Sequence, residues 1–274
     1  MAERIRAALS RATMALKPLS DTAGLDAEVL MAHAIGVSRE AMLLHHLEHD
    51  SPPSFDSLLA RRLDAEPVAY IVGRRDFWTI ELEVAPGVLI PRADSETLIE
   101  AAVAHFGSMG PTRVIDLGTG SGALLLAALA EWPGATGVGI DLSDEALAIA
   151  AANAERLGLA PRAAFVKADW AYGVEGPFDL ILCNPPYVES GATLSREVAA
   201  YEPATALYAG PDGLADYRRL APQLCRLLGE GGLAAIEIGA TQTLAVSALL
   251  AEQGLLTFVR RDLAGRDRCI CAVR

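Results

Sequence analysis

The sequence has little with which to hold a metal. Its five histidines include His45, His46 and His49, and none of them stands with carboxylates at ligand spacing. Its four cysteines are Cys183, Cys225, Cys269 and Cys271. Cys269-x-Cys271 has the wrong spacing for a zinc knuckle and no C-x-x-C pair accompanies it, so no metal is expected. Alternation from Cys269 to Val273 puts both sulfurs on one face of a strand, as core thiols of a reducing compartment. Positive charge is also scarce: 23 Lys and Arg stand against 35 Asp and Glu, a formal net charge of −12. Repulsion from phosphates therefore argues against a free-standing nucleic-acid binder, and no direct DNA binding is expected. Arg260, Arg261, Arg266 and Arg268 read as ordinary solvated arginines. No apolar span reaches membrane length, and the amino terminus lacks the apolar core of a signal peptide. The expectation is a cytoplasmic protein without membrane contact.

What is present is core. Hydrophobic residues make up 52% of 274, enough for two domains. Residues 1–75 read as a small all-α domain of four or five helices, with apolar positions at helical spacing through Ile5-Leu9, Ala27-Leu30-Met31-Ala34-Ile35 and Met42-Leu43-Leu44-Leu47. Gly24, Gly36 and Ser51-Pro52-Pro53 mark breaks. Residues 76–92 read as a β-hairpin linker: period-two alternation from Asp76 to Val84, a turn at Pro86-Gly87, then Val88-Leu89-Ile90. Residues 93–274 form the second domain. Pro91-Arg92-Ala93-Asp94-Ser95-Glu96 opens a helix capped by Asp94 or Ser95, and its Arg and acids either lie over a site or serve only that helix start. From residue 113 strands and helices alternate, which predicts a doubly wound, mostly parallel sheet. The strands beginning at Leu256 and Arg268 are joined by a connection too short to cross over, so the last strand is expected to be antiparallel. The chain from Val188 to Asp216 reads as an irregular, substrate-facing lid.

Two motifs carry chemistry. The first is strand, glycine turn, helix: Arg113-Val114-Ile115-Asp116-Leu117, then Gly118-Thr119-Gly120-Ser121-Gly122, then an Ala/Leu-rich helix. Glycines let a ligand approach the backbone, and the helix start offers free N–H groups. A second strand, from Thr136 to Ile140, ends in Asp141, placed to bind the two hydroxyls of a ribose. The turn is not the G-x-G-x-x-G of dinucleotide binders. Asp169 and Trp170 follow a third strand, Ala163 to Lys167; a carboxylate and an indole there suit an adenine, although an indole after a strand serves core packing equally well.

The second motif is Asn184-Pro185-Pro186-Tyr187, after the buried strand Phe178 to Cys183. A side-chain amide at the carboxyl end of such a strand sits where open α/β sheets bind ligands. The prolines fix the backbone and remove donors, leaving acceptors beside the Tyr187 ring. That set suits a planar NH2 group held by both hydrogens. It resembles the signature of methyltransferases acting on amide or exocyclic amino nitrogen.

The ordered set is more specific than either motif. Glu66-Pro67-Val68-Ala69-Tyr70-Ile71-Val72-Gly73, Phe77-Trp78, Val88-Leu89-Ile90-Pro91-Arg92, Asn184-Pro185-Pro186-Tyr187, Glu202-Pro203, Asp212-Gly213-Leu214, Tyr217-Arg218-Arg219, Glu237-Ile238-Gly239 and Asp262-Leu263-Ala264-Gly265-Arg266-Asp267 together resemble the HemK/PrmC family. These are S-adenosyl-L-methionine-dependent protein-glutamine N-methyltransferases acting on peptide chain release factors. Where that family usually has Pro-Arg-Pro-Glu-Thr-Glu, this chain has Ala93 at the second proline. The resemblance implies the class I methyltransferase fold, with the helical domain recognising substrate. It implies that Gly118, Thr119, Gly120, Ser121, Gly122, Asp141, Asp169, Trp170 and Asn184 bind the cofactor. It also implies that Asn184, Pro185 and Tyr187 are catalytic and, with Pro186 as a rigid spacer, hold the substrate amide. A DNA adenine methyltransferase and a non-catalytic protein-binding module are the alternatives.

Overall fold

The computed structural model describes residues 3–274. The chain divides into two compact units: one runs to Arg74 and takes in Leu194–Tyr201, the other comprises Arg75–Thr193 and Glu202–Arg274.

The first unit opens with five helices, α1 (Ile5–Leu16), α2 (Ala23–Ile35), α3 (Arg39–His45), α4 (Pro53–Leu63) and α5 (Val68–Val72). Gly24 does not break a helix as expected but sits in the first turn of α2, where backbone N–H groups lack intrahelical partners anyway. Ile5, Leu16, Leu30, Met31, Met42 and Phe55 pack into one core. At its side Arg62 is buried. Its guanidinium pairs with Asp26 at 2.9 Å and with Glu197 at 2.9 Å, and donates to the Glu66 carbonyl. Glu197 belongs to a short helix described below, so a buried, paired cation ties that helix into this unit.

All but the first residue of a hairpin, β1 (Arg74–Phe77) and β2 (Ile80–Glu83), opens the second unit. The hairpin turns at Trp78-Thr79, with Trp78 at φ +53°, not at Pro86-Gly87. Val88-Leu89-Ile90 is not its return strand; the alternating run was long enough to fold back on itself. There follow α6 (Glu96–Phe106), β3 (Arg113–Leu117), α7 (Ala123–Glu131), β4 (Thr136–Asp141), α8 (Asp144–Arg156), β5 (Ala163–Lys167) and β6 (Phe178–Cys183). Then come α9 (Arg196–Tyr201), α10 (Ala215–Leu227), β7 (Leu228–Glu237), α11 (Thr243–Ala251), β8 (Leu256–Arg261) and β9 (Asp267–Val273). The expected lid is thus only partly irregular, since it holds α9 and a 3-10 turn at Ala204–Ala206.

Seven strands form one sheet in the order β5-β4-β3-β6-β7-β9-β8. All pairings are parallel except those of β9, which runs antiparallel to both neighbours, as the short connection required. The chain winds outward from β3 to β5, then returns to the other side of β3 with β6. The switch point therefore lies between β3 and β6, the place where such sheets bind ligands. Apolar cores cover both faces, with Leu125, Leu129 and Leu180 on one and Ile115, Ile181 and Leu224 on the other.

Candidate active site

The register brings the two motifs together. Leu117 pairs with Cys183 on one side and with Ile140 on the other. Gly118, Asn184 and Asp141, each one residue further along, therefore meet at the carboxyl edge of adjacent strands. A cavity of about 630 Å³ opens there, of the size that takes a small-molecule ligand. Gly118, Thr119, Gly120, Ser121, Asp141, Trp170, Asn184 and Pro186 line it, joined by Val88 and Leu89 from the segment after the hairpin, by Ser95, and by Pro203, Thr205, Ala206 and Tyr208 from the lid. Gly122, Asp169, Pro185 and Tyr187 are outside its wall.

Local chemistry holds the glycine turn. The N–H groups of Gly118 and Thr119 both donate to the Ile140 carbonyl. Asp141 accepts from Gly120 N–H at 2.9 Å through one oxygen and from Ser143 N–H at 2.9 Å through the other. Gly118 has φ +77°, and a Cβ there would stand 3.3 Å from the Trp170 ring, so glycine is needed for conformation and for space. Trp170 itself has φ +51°, a strained setting for a bulky residue that holds its indole over Gly118. Its Nε1–H donates to Asp216, and Asp169 pairs with Arg219.

Asp116 lies beneath the turn with 1% of its surface exposed. One oxygen accepts from the Thr119 hydroxyl at 2.7 Å and from Leu125 N–H; the other, Oδ1, has no partner among the described residues. Burial, helped by nearby Asp141 and opposed by those hydrogen bonds, pushes its pKa up to about 7.

Asn184 heads a second network. Its Nδ2 donates to the Ser95 hydroxyl at 3.2 Å, and that hydroxyl donates to Glu237 Oε2. The Tyr187 hydroxyl donates to Glu237 Oε1 at 3.2 Å. Ser95 and Asn184 both line the cavity, and with its nitrogen given to Ser95 the Asn184 side chain keeps its oxygen as an acceptor. Burial pushes Glu237 up to about 7, against the pull of Ser95, Arg268 and Tyr187. Burial beside Glu237 also raises the Tyr187 phenol, which stays protonated.

Several of these contacts leave no local trace in the sequence. Ser95 occupies the N-cap position of α6, as expected, but its side chain makes no capping bond; it ends a 3-10 turn at Ala93–Ser95 that leads into α6 without the family's second proline. Arg268 is not solvated like its neighbours. It is buried against Asp262 and Asp94, and only Arg260, Arg261 and Arg266 are exposed. Arg92 pairs with the buried Glu202, fixing the lid residues that follow. Asn153, fully buried on α8, donates to the carbonyls of Glu83 and Ser121 and accepts from Glu83 N–H, so it braces the glycine turn from behind. A lone Asn on the alanine-lined face of α8 is the signal that could have revealed it.

Asp116 and Glu237 set a pH dependence of stability. In the fold each keeps its proton up to about pH 7, whereas the unfolded chain releases it in the ordinary carboxylate range. Across that window the unfolded state binds fewer protons, so the contribution of these groups to stability is full below it and is lost as pH rises towards neutrality. Urea midpoints at about pH 5 and about pH 8 should therefore fall less with pH in Asp116→Asn than in the unsubstituted chain. Equal slopes would show that Asp116 is already ionised in the fold.

Residues 7–73 match the family described as the PrmC N-terminal domain, and residues 110–254 match a methyltransferase domain family. The chain is 44% identical over 255 residues to a release factor glutamine methyltransferase of Rhodospirillum rubrum, covering 91% of this chain and 78% of that protein. A release factor glutamine methyltransferase of Cereibacter sphaeroides is 42% identical over 279 residues, covering 99% and 97%. Among solved structures, the T. thermophilus 16S rRNA N2 G1207 methyltransferase in complex with AdoMet and guanosine superposes with a TM-score of 0.54 at 23% identity, over 73% of this chain and 50% of that one. That likeness concerns the fold. No described helix is long and apolar enough to cross a membrane, and no group of metal-ligating side chains occurs among the described residues.

Proposed function

We infer the reaction from the family to which the chain belongs, the release factor glutamine methyltransferases. The protein transfers a methyl group from S-adenosyl-L-methionine to the side-chain amide nitrogen of a glutamine in a peptide chain release factor, within its Gly-Gly-Gln loop. The observation that carries the reading is Asn184: its side chain lines the cavity beside the glycine turn, and with its nitrogen given to Ser95 its oxygen is left as the acceptor for a substrate amide.

The residues present fit the cofactor. Gly118 and Gly120 leave room for close approach to the backbone at the edge of β3, and the start of α7 adds a positive dipole end. Asp141 keeps lone pairs beyond the two N–H groups it already accepts, enough for ribose hydroxyls. Trp170 and the exposed Leu142 offer an apolar surface for a purine. Asp169 stands outside the cavity and its carboxylate is held by Arg219, so its part is to anchor the adenine end of the site through that pair. When bound, the cofactor supplies an electrophilic methyl group on a sulfonium.

The chain's own work is orientation. An amide nitrogen is a poor nucleophile because its lone pair is delocalised into the carbonyl. Asn184 Oδ1, on the cavity wall, and the Pro185 carbonyl, adjoining that wall in the chain, accept the two N–H bonds of the substrate amide, aim its nitrogen at the methyl carbon, and stabilise the positive charge that develops on it. Alignment of two reactants can supply on the order of 7–11 kcal/mol. A single hydrogen bond contributes only about 0.5–1.5 kcal/mol, so geometry dominates. The N-alkylated amide is strongly acidic and loses its proton afterwards without a dedicated base. Pro186 walls the cavity as a rigid spacer, and Tyr187 supports the acceptor pair from behind through Glu237. The helical unit recognises the release factor, and the cytoplasm, where translation proceeds, is the place of action.

Mass spectrometry of a release factor incubated with this protein and S-adenosyl-L-methionine is the test. A gain of one methyl, localised to the loop glutamine, is expected. Methylation of naked duplex DNA in the same assay, with release factor unchanged, would overturn the reading in favour of an adenine methyltransferase.

A further inference from the structure

A primary amide has two nearly isosteric settings half a turn apart, one presenting oxygen and the other NH2. If the proposed reaction is right, only one setting of Asn184 is productive, because NH2 facing the substrate's own NH2 repels it. Something must choose. Asn184 Nδ2 lies 3.2 Å from Ser95 Oγ, which in turn contacts Glu237 Oε2; the other Glu237 oxygen takes the Tyr187 hydroxyl.

We propose that Ser95 and Glu237 are positioning residues for methyl transfer: the Glu237 carboxylate takes the Ser95 proton, leaving the Ser95 oxygen only as an acceptor for Asn184 Nδ2 and turning Asn184 Oδ1 to the substrate. The logic is a count of protons. An ionised carboxylate donates nothing, so both hydroxyls that reach Glu237 must donate to it. A serine has one proton, and once that is committed its oxygen repels Asn184 Oδ1 and attracts Asn184 Nδ2. If Glu237 is protonated, its O–H donates to Ser95 instead. The Ser95 proton is then free to meet Asn184 Oδ1, and the choice is lost.

Glu237 is thus required as an anion in a place that resists anions, being 1% exposed. Arg268 of β9 favours its charge, and Asp94, beside Ser95, opposes it. Burial raises the thiols of Cys183 and Cys269 and the phenol of Tyr217, so these neighbours are neutral and do not compete. Burial also pushes Glu237 up to about 7, which places the lock near physiological pH. The same proton that relieves the fold below pH 7 releases Asn184.

The test is a double-mutant cycle on turnover by the full chain, with release factor as substrate. Ser95→Ala should lower kcat roughly tenfold, the order of one well-placed hydrogen bond, while S-adenosylhomocysteine affinity by calorimetry changes little. Ser95→Thr, which keeps the hydroxyl, should recover most of the loss. In an Asn184→Ala background Ser95→Ala should have almost no further effect, because its target is gone. An equal loss in both backgrounds would overturn the proposal. So would failure of Glu237→Gln to remove the rise of kcat through neutral pH, a rise that should persist in Asp116→Asn. If the unsubstituted chain methylates no release factor, the reaction fails but the lock does not. The lock is then read from the Asn184 side-chain NH2 protons, which should exchange slowly in the unsubstituted chain and fast in Ser95→Ala; equal exchange in both would overturn it.

Discussion

Asn184→Ala should lower turnover by roughly 10²–10³ while leaving cofactor affinity near normal, by analogy with the loss of one transition-state partner. The side chain stands just past the end of β6, beside Gly118 just past the end of β3, and lines the cavity, with its oxygen the proposed acceptor. Removing it deletes an interaction that strengthens as the amide nitrogen gains positive charge, so kcat falls more than KM rises. The fold should tolerate the change. Asn184 is half-buried, and its one side-chain hydrogen bond among the described residues goes to Ser95, which keeps Glu237. Single-turnover rates with calorimetry on the same preparation separate the two quantities. Turnover near that of the unsubstituted chain would refute the role.

Asp141→Ala should weaken binding of S-adenosylhomocysteine by roughly 10²-fold, the size expected for loss of two charge-assisted hydrogen bonds. Part of that loss comes from elsewhere. The carboxylate also accepts from Gly120 N–H and Ser143 N–H, so its removal would release the glycine turn and fray the start of α8. Asp141→Asn separates the contributions: its single oxygen can hold Gly120 N–H, but it lacks the charge for two hydroxyls. Calorimetry should rank affinity as Asp above Asn above Ala. Unchanged affinity in Asp141→Ala would exclude the ribose role.

What could be read from the sequence was what the chain writes contiguously. The glycine turn and the Asn184 tetrapeptide each follow an apolar strand, and strand ends in a parallel sheet collect on one edge, so two local patterns implied one site. The antiparallel β9 followed from the short connection between the end of β8 at Arg261 and its own start at Asp267, which cannot return along the sheet. The hairpin was legible as a hairpin but not in its turn. Alternation from Asp76 to Val84 does not say where the run folds, and Trp78 adopts a backbone setting that propensity disfavours. Ser95 and Glu237 were out of reach for a different reason. They are 142 positions apart and meet only because α6 and β7 pack together. Read locally, Ser95 looks like a cap and Glu237 like the polar end of a strand. The same holds for Arg268, whose partners Asp94 and Asp262 come from separate segments.

The place of β9 has a consequence for how the molecule comes into being. It is the latest strand along the chain, yet it lies inside the sheet, with β7 on one side and β8 on the other. A nascent polypeptide can pair β3, β4, β5, β6 and β7 as they emerge, but β8 has no partner until Asp267–Val273 have been synthesised. Until then β7 carries an open, apolar edge, the kind of surface that invites association with other chains. A protein that modifies the factors ending translation thus completes its own sheet only after its final strand has cleared the ribosome.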